Sequence, residues 1–152
     1  MVSISFKAQL YKLCLEQQLK KVETAKNAMD DAQESANSEE RSTAGDKYDT
    51  SRAMSQNVRD MNARQLQDAL KELAILQQIN IETKNAAVKA GSVVMTSTGN
   101  YFIAVSAGEL KLDDKTFFAI SPASPLGQVL INKKAGEKIT FREKTIAIKE
   151  IL

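Results

Sequence analysis

The sequence predicts an α+β chain. Residues 1–88 read as a long antiparallel α-helical coiled-coil hairpin turning at about 38–46, and residues 89–152 as a small antiparallel β domain with one short helix. Three observations predict it. The first is where the helix breakers fall: glycine stands at 45, 91, 99, 108, 127 and 136, and proline at 122 and 125. Residues 1–90 therefore hold one breaker, near their midpoint, and the remaining 62 or so residues hold the rest. The second is an apolar repeat of three and four residues in both halves of the first segment. The third is a run of short apolar stretches separated by turn residues in the second segment.

In the first arm Leu15, Leu19, Val22, Ala25, Met29, Ala32 and Ala36 mark one face of a 3.6-residue repeat. In the second arm Met54, Val58 and Met61 do the same, and Leu66, Leu70, Leu73 and Leu76 resume after a five-residue step that reads as a local stutter. Such narrow stripes cannot each build a globular core, but two arms can bury them on each other. At about 1.5 Å per residue an arm of 35 helical residues reaches roughly 50 Å. The intervening segment, SANSEERSTAGDKYD, is rich in capping and turn residues, with Ser42, Thr43 or Asp46 able to cap the second helix.

Beyond residue 90, the stretches 92–97 and 100–106 flank Thr98-Gly99 and predict a hairpin. Residues 116–120 form a short apolar strand. Ser124-Pro125 caps and starts a helix over 126–131, since proline suits a first helical turn. Residues 137–141 and 144–151 form a last pair of strands, and Gly136 permits the tight turn into the first of them.

Composition bounds the chemistry. The 152 residues carry a formal net charge of +2 and 43% hydrophobic residues, a globular composition. No apolar run approaches the roughly 20 residues of a membrane span. The N-terminus lacks a basic start followed by a clean apolar stretch, so no secretory signal is expected and a cytoplasmic location is. The single cysteine, Cys14, lies among leucines at helical spacing and reads as a small buried apolar residue. There is no histidine. That removes the usual general base, Ser-His and Cys-His nucleophile pairs, and histidine metal sites. Any chemistry here would have to run on carboxylates, lysines or a partner's groups.

Charge is uneven along the first arm. Lys7, Lys12, Lys20, Lys21 and Lys26 lie toward its start, whereas residues 27–40 hold Asp30, Asp31, Glu34, Glu39 and Glu40 with no Lys or Arg. Two readings stand: a solvated helix face, or an acidic tip offered to a cation, a metal ion or a basic channel.

Residues 120–140 resemble the C-terminal signature of the Gre transcript-cleavage factor family. Ile120, Ser121, Ser124, Pro125, Leu126, Gly127, Leu130, Lys133, Gly136 and Glu137 match it, and Asn132 stands where the family usually has glycine. Tyr48 and Arg52 are similar to a tyrosine and an arginine just after the family's hairpin tip. The order of domains is similar over the whole chain. The resemblance implies an FKBP-like second domain that docks on RNA polymerase at the mouth of its secondary channel through Ser121, Ser124, Pro125, Leu126 and Gly127. It implies a hairpin entering the channel, with Arg41, Tyr48 and Arg52 as channel contacts, and only indirect contact with DNA and RNA. In cleavage factors two tip acids help hold the polymerase's second Mg²⁺, which activates a water to cut backtracked RNA. The resemblance thus implies that the enzyme is the polymerase and that this chain is not one: it has no cofactor of its own, shares that Mg²⁺ with the polymerase, and has no small-molecule substrate.

This chain departs from the family at the tip. Aligned on Tyr48, the two acid positions fall on Arg41 and Ala44, and the nearest carboxylates are Glu39, Glu40 and Asp46. The expected function is therefore polymerase binding and channel occupancy without efficient cleavage stimulation. The alternative is a true cleavage factor in which Glu39, Glu40 and Asp46 form a rearranged tip. A prolyl isomerase on an FKBP-like fold would need an aromatic-lined pocket, whereas Tyr101, Phe102, Phe117, Phe118 and Phe141 read as core. Lys133, Lys134, Lys138 and Arg142 read as a solvated face or a polymerase contact.

Overall fold

The structure, a computed structural model, describes residues 2–40 and 45–152, with side chains described at 6–35 and 53–152. Helix α1 (Val2–Glu40) and helix α2 (Gly45–Gln77) are followed by strands β1 (Val93–Thr96), β2 (Asn100–Ile103), β3 (Gly108–Leu112) and β4 (Lys115–Ile120). Helix α3 (Pro125–Leu130) precedes β5 (Lys138–Phe141) and β6 (Lys144–Ile151). The chain is thus α+β, a long helical region and then a six-stranded sheet. The turn itself, with Ser42 and Thr43, lies outside the described residues. Asp46 is already inside α2. Among the described residues, no helix is long and apolar enough to cross a membrane. Packing divides the chain into Gln18–Leu73 and a second unit of Met1–Gln17 with Ala74–Leu152.

Within Gln18–Leu73 the two helices run antiparallel. Lys21 pairs with Glu72 at 3.3 Å, the Gln18 amide donates to the Ala69 carbonyl at 2.8 Å, and Asn62 Nδ2 donates to the Ala28 carbonyl at 3.3 Å. Further along, Arg59 Nη1 donates to Gln33 Oε1 at 2.9 Å. From residues 18–21 through 28 to 33 on α1, the partners on α2 fall from 69–72 through 62 to 59. On this part of α1, among the described residues, the buried positions are Gln18, Ala25 and Ala32, seven residues apart. On α2 the buried and half-buried row is Ser55, Arg59, Asn62, Leu66, Ala69 and Leu73, stepping by four and three without interruption.

That row corrects two expectations. No stutter separates the two parts of α2, and Met54, Val58 and Met61 are not in the seam. They stand one position away, 64%, 46% and 47% exposed; Leu70 and Leu19 are exposed as well. The physical reason is close approach combined with hydrogen bonding. Buried alanines (Ala25, Ala32 and Ala69) leave room in the seam, and Arg59 and Asn62 reach across to acceptors on α1. A reading that follows the largest apolar residues selects the neighbouring row instead.

The sheet has the order β3-β4-β2-β1-β6-β5. Strands β1 and β2 form the expected hairpin, and β5 and β6 the other. Two features differ from expectation. Strand β3 has no counterpart in the sequence reading, and β2 and β4 are parallel, with Asn100 opposite Phe117 and Ile103 opposite Ile120. The sheet is therefore mixed. The chain leaves β2 and forms β3 at the sheet edge, then returns as β4 into the slot between them. Because β3 and β4 are antiparallel, β4 must run with β2. The return is a two-residue turn in which Asp113 and Asp114 both take positive φ (50° and 65°). That is the hairpin geometry usually marked by glycine, and consecutive aspartates are a weaker signal for it.

Both sheet faces are packed, because neighbouring residues on a strand point to opposite sides. Val93, Phe102, Leu110, Phe117 and Ala119 join Leu10 and Cys14 of α1 and Leu76 of α2 in one core. The Phe6 ring meets that of Phe117 edge-on, with centroids 5.2 Å apart. Cys14 is fully buried there, as expected for an apolar role. Val94, Ile103, Ile146, Ile148 and Ile151 join Val88 and Leu130 of α3 in the second core. The expectation that every aromatic is core holds for Phe102 and Phe117 and fails for Phe118, which is 43% exposed. Phe118 follows Phe117 on β4 and so points to the other face, where it leans on Tyr101.

Candidate docking site

The residues expected to dock a partner form one tight structure at the end of β4. Ser121 follows the last strand residue, and its carbonyl accepts from both the Ser124 backbone N–H (3.0 Å) and the Ser124 hydroxyl (2.6 Å). The Ser121 hydroxyl in turn accepts from the Ala123 N–H at 3.1 Å. Ser124 is extended (φ −65°, ψ 158°), and its Oγ accepts from the Gly127 N–H at 3.1 Å. This satisfies a donor that the first turn of α3 would leave unpaired, with Pro125 at a position where no N–H is needed.

Gly127 is there because nothing larger fits. A Cβ on it would lie 2.1 Å from the Ser121 carbonyl oxygen and 2.9 Å from Ser124 Oγ. Leu130, fully buried, and Leu126, half-buried, then pack into the second core. The helix ends with the Ile131 N–H on the Gly127 carbonyl at 3.0 Å, and Asn132 follows in the left-handed region at φ 68°. The Asn132 N–H donates to the Val88 carbonyl at 2.9 Å, which ties the helix end to the segment before β1.

Of the expected docking residues, Ser121, Ser124 and Gly127 thus build the loop from inside, and Pro125 is the one presented outward. Ala123 and Gln128 are exposed beside it, and Gln128 Nε2 donates to the Ala123 carbonyl at 2.9 Å. Their exposure has no signature in the sequence, because it depends on which side of a short helix meets the sheet. The Lys134 N–H donates to the Glu137 carboxylate, and the Arg142 guanidinium lies over the Phe141 ring at 5.1 Å from its centroid.

The tip is a different matter. Arg41 and Ala44 lie outside the described residues, as do the side chains of Glu39, Glu40, Asp46, Tyr48 and Arg52. Among the described residues, no group of three His, Cys, Asp or Glu side chains is placed to hold a metal ion.

In the sheet unit, the buried Lys7 and the half-buried Tyr11 each donate a hydrogen bond to a distant carbonyl. Lys7 is 2% exposed and donates from Nζ to the Thr83 carbonyl at 3.0 Å. Burial holds its pKa below the ordinary lysine value, and the positive charge of Lys89 pushes the same way. The Tyr11 hydroxyl donates to the Leu76 carbonyl at 2.9 Å, and burial, with a smaller contribution from Cys14, raises its pKa. Both bonds anchor the start of α1 to backbone carbonyls of residues 76–83.

The sequence matches no protein-family model and no characterised protein.

Proposed function

We propose that this protein is a Gre-like regulator of transcription elongation. It binds RNA polymerase through an FKBP-like C-terminal domain and inserts a coiled-coil hairpin into the secondary channel, without efficiently stimulating transcript cleavage. The observation that carries this reading is the Ser121–Asn132 segment. The positions in it that match the Gre signature shape its backbone. Ser121 and Ser124 close the loop, Pro125 opens the helix, and Gly127 makes room for the Ser121 carbonyl.

The one departure in that segment supports the reading as well. Asn132 replaces a usual glycine, and it takes a positive φ. Asparagine is the side chain best tolerated in that conformation after glycine. The seven-residue spacing of buried positions on α1 and the antiparallel pairing of α1 with α2 support a coiled-coil hairpin. The absence of acids at positions 41 and 44 supports channel occupancy over metal delivery.

Two measurements on stalled elongation complexes test the proposal. The protein is expected to bind core RNA polymerase and to leave the transcript uncut. Failure to bind refutes the polymerase reading. Robust cleavage that disappears on Glu39→Ala with Glu40→Ala refutes the inactive tip and establishes rearranged carboxylates sharing the polymerase's Mg²⁺.

A further inference from the structure

Residues 84–89 lead from α2 toward β1 and are tied to the end of α3 by two backbone bonds. The Val88 N–H donates to the Lys133 carbonyl and the Asn132 N–H to the Val88 carbonyl, both at 2.9 Å. Beside this junction lies a pocket of about 220 Å³ lined by residues 84–89 and Asn132. Three features of its wall suit an anionic ligand. Its charged side chains are Lys84 and Lys89, both exposed, and neither forms an ion pair among the described residues. Lys89 is close enough to the buried Lys7 to hold its pKa down, so a third lysine stands nearby. The backbone N–H groups of Asn85, Ala86 and Ala87 donate no hydrogen bond among the described residues, which leaves them for an anion.

The third feature is the one that ordinary surface charge does not explain. Asn85 is 6% exposed, and one end of its amide is unmatched. Its Nδ2 donates to Ser92 Oγ at 2.9 Å, whereas Oδ1 has no partner among the described residues. Turning the amide over would give Oδ1 the Ser92 hydroxyl proton and leave Nδ2 unmatched, so one end lacks a partner in either orientation. A buried polar group left so costs stability that a ligand's polar group would restore. We propose that this pocket binds a small phosphate monoester of a hydroxylated compound. The phosphate, close to doubly negative at neutral pH, matches both Lys84 and Lys89, where a carboxylate would match only one. The remaining space suits a short carbon skeleton. Its hydroxyl pairs with the Asn85 amide in either orientation, because a hydroxyl both donates and accepts. The inference does not rest on the polymerase reading.

The test is titration of the full chain with glycerol 3-phosphate, followed by calorimetry and by backbone amide resonances. Saturable binding is expected, with the resonance shifts centred on residues 84–89 and Asn132. Lys84→Gln/Lys89→Gln should bind about tenfold more weakly or worse, the loss expected when charge-assisted bonds are removed. Its melting temperature should not change, since both side chains are exposed. Lys12→Gln/Lys20→Gln, which makes the same change in net charge at exposed lysines elsewhere, should bind as the wild type does. Inorganic phosphate should bind more weakly than the ester, and Asn85→Ala should narrow that difference. No saturable binding overturns the proposal, as does equal weakening by the two lysine pairs or equal affinity for phosphate and the ester. Binding of a single-stranded RNA oligonucleotide, lost in Lys84→Gln/Lys89→Gln, with no binding of glycerol 3-phosphate overturns it as well, and assigns the lysines to a nucleic acid.

Discussion

Gly127→Ala separates two physical expectations of opposite sign. Helix propensity favours alanine over glycine by about 1 kcal/mol in a helix interior. Gly127 does not need a positive φ, so backbone strain does not oppose the change. Steric exclusion does, because the new Cβ would stand 2.1 Å from the Ser121 carbonyl oxygen, 2.9 Å from Ser124 Oγ and 3.1 Å from the Pro122 carbonyl carbon. Relief requires a shift of about 1 Å, and the Ser121 carbonyl cannot move so far while it accepts from both Ser124 donors. Overpacking of this kind costs roughly 1–3 kcal/mol. Loss of the Ser124 cap adds about 1 kcal/mol. Set against the propensity gain, the net is a destabilisation of about 2 kcal/mol. At roughly 4–8 °C per kcal/mol for a domain of 60–100 residues, the sheet unit should melt about 10 °C lower. Circular dichroism melting, followed in the near-ultraviolet where Phe and Tyr of the sheet report, measures it. An unchanged or raised melting temperature would refute the claim that the loop excludes a side chain at residue 127.

Three further outcomes follow from single contacts. Asn132→Gly should change stability by less than about 0.5 kcal/mol, whereas Asn132→Val should cost about 1–2 kcal/mol because a β-branched residue resists φ of 68°; equal effects in urea unfolding would contradict a left-handed requirement there. Gln18 is fully buried, and its Oε1 has no hydrogen-bond partner among the described residues, so Gln18→Met should stabilise the helix pair by about 1–2 kcal/mol; a lower melting temperature would show that the polar contact to Ala69 matters more. For Lys7, the folded pKa lies below the ordinary 10.5, so the unfolded chain holds the extra proton over the interval between the two. Wild-type stability relative to Lys7→Met should therefore rise with pH across that alkaline interval and level off above about 10.5; a falling difference would mean the ammonium is stabilised where it is buried.

Much of the architecture is written in local chemistry. The division into a helical part and a strand part follows from where glycine and proline stand, and the α3 unit from Ser124, Pro125 and Gly136. Such signals act over a few residues, through φ restrictions and capping bonds, and are legible without knowing the fold. Strand β3 escapes a sequence reading for the same kind of reason in reverse, since its turn uses Asp113 and Asp114 without a glycine. The candidate dock is legible as a motif. Its exposed surface, Pro125 with Ala123 and Gln128, is not, because a motif does not say which of its residues remain outside.

The sequence by itself determined where the helices break, which turn begins α3, that Cys14 is apolar core, and that histidine chemistry is absent. Only the tertiary structure decided that β4 inserts parallel to β2 and that α2 turns Ser55, Arg59 and Asn62 inward while leaving Met54, Val58 and Met61 outside. The physical reason is the same in both cases. Strand order and helix rotation are set by which surfaces meet across the chain. Small buried side chains, with polar ones reaching acceptors on the other helix, can outweigh the apolar row that one helix alone would bury.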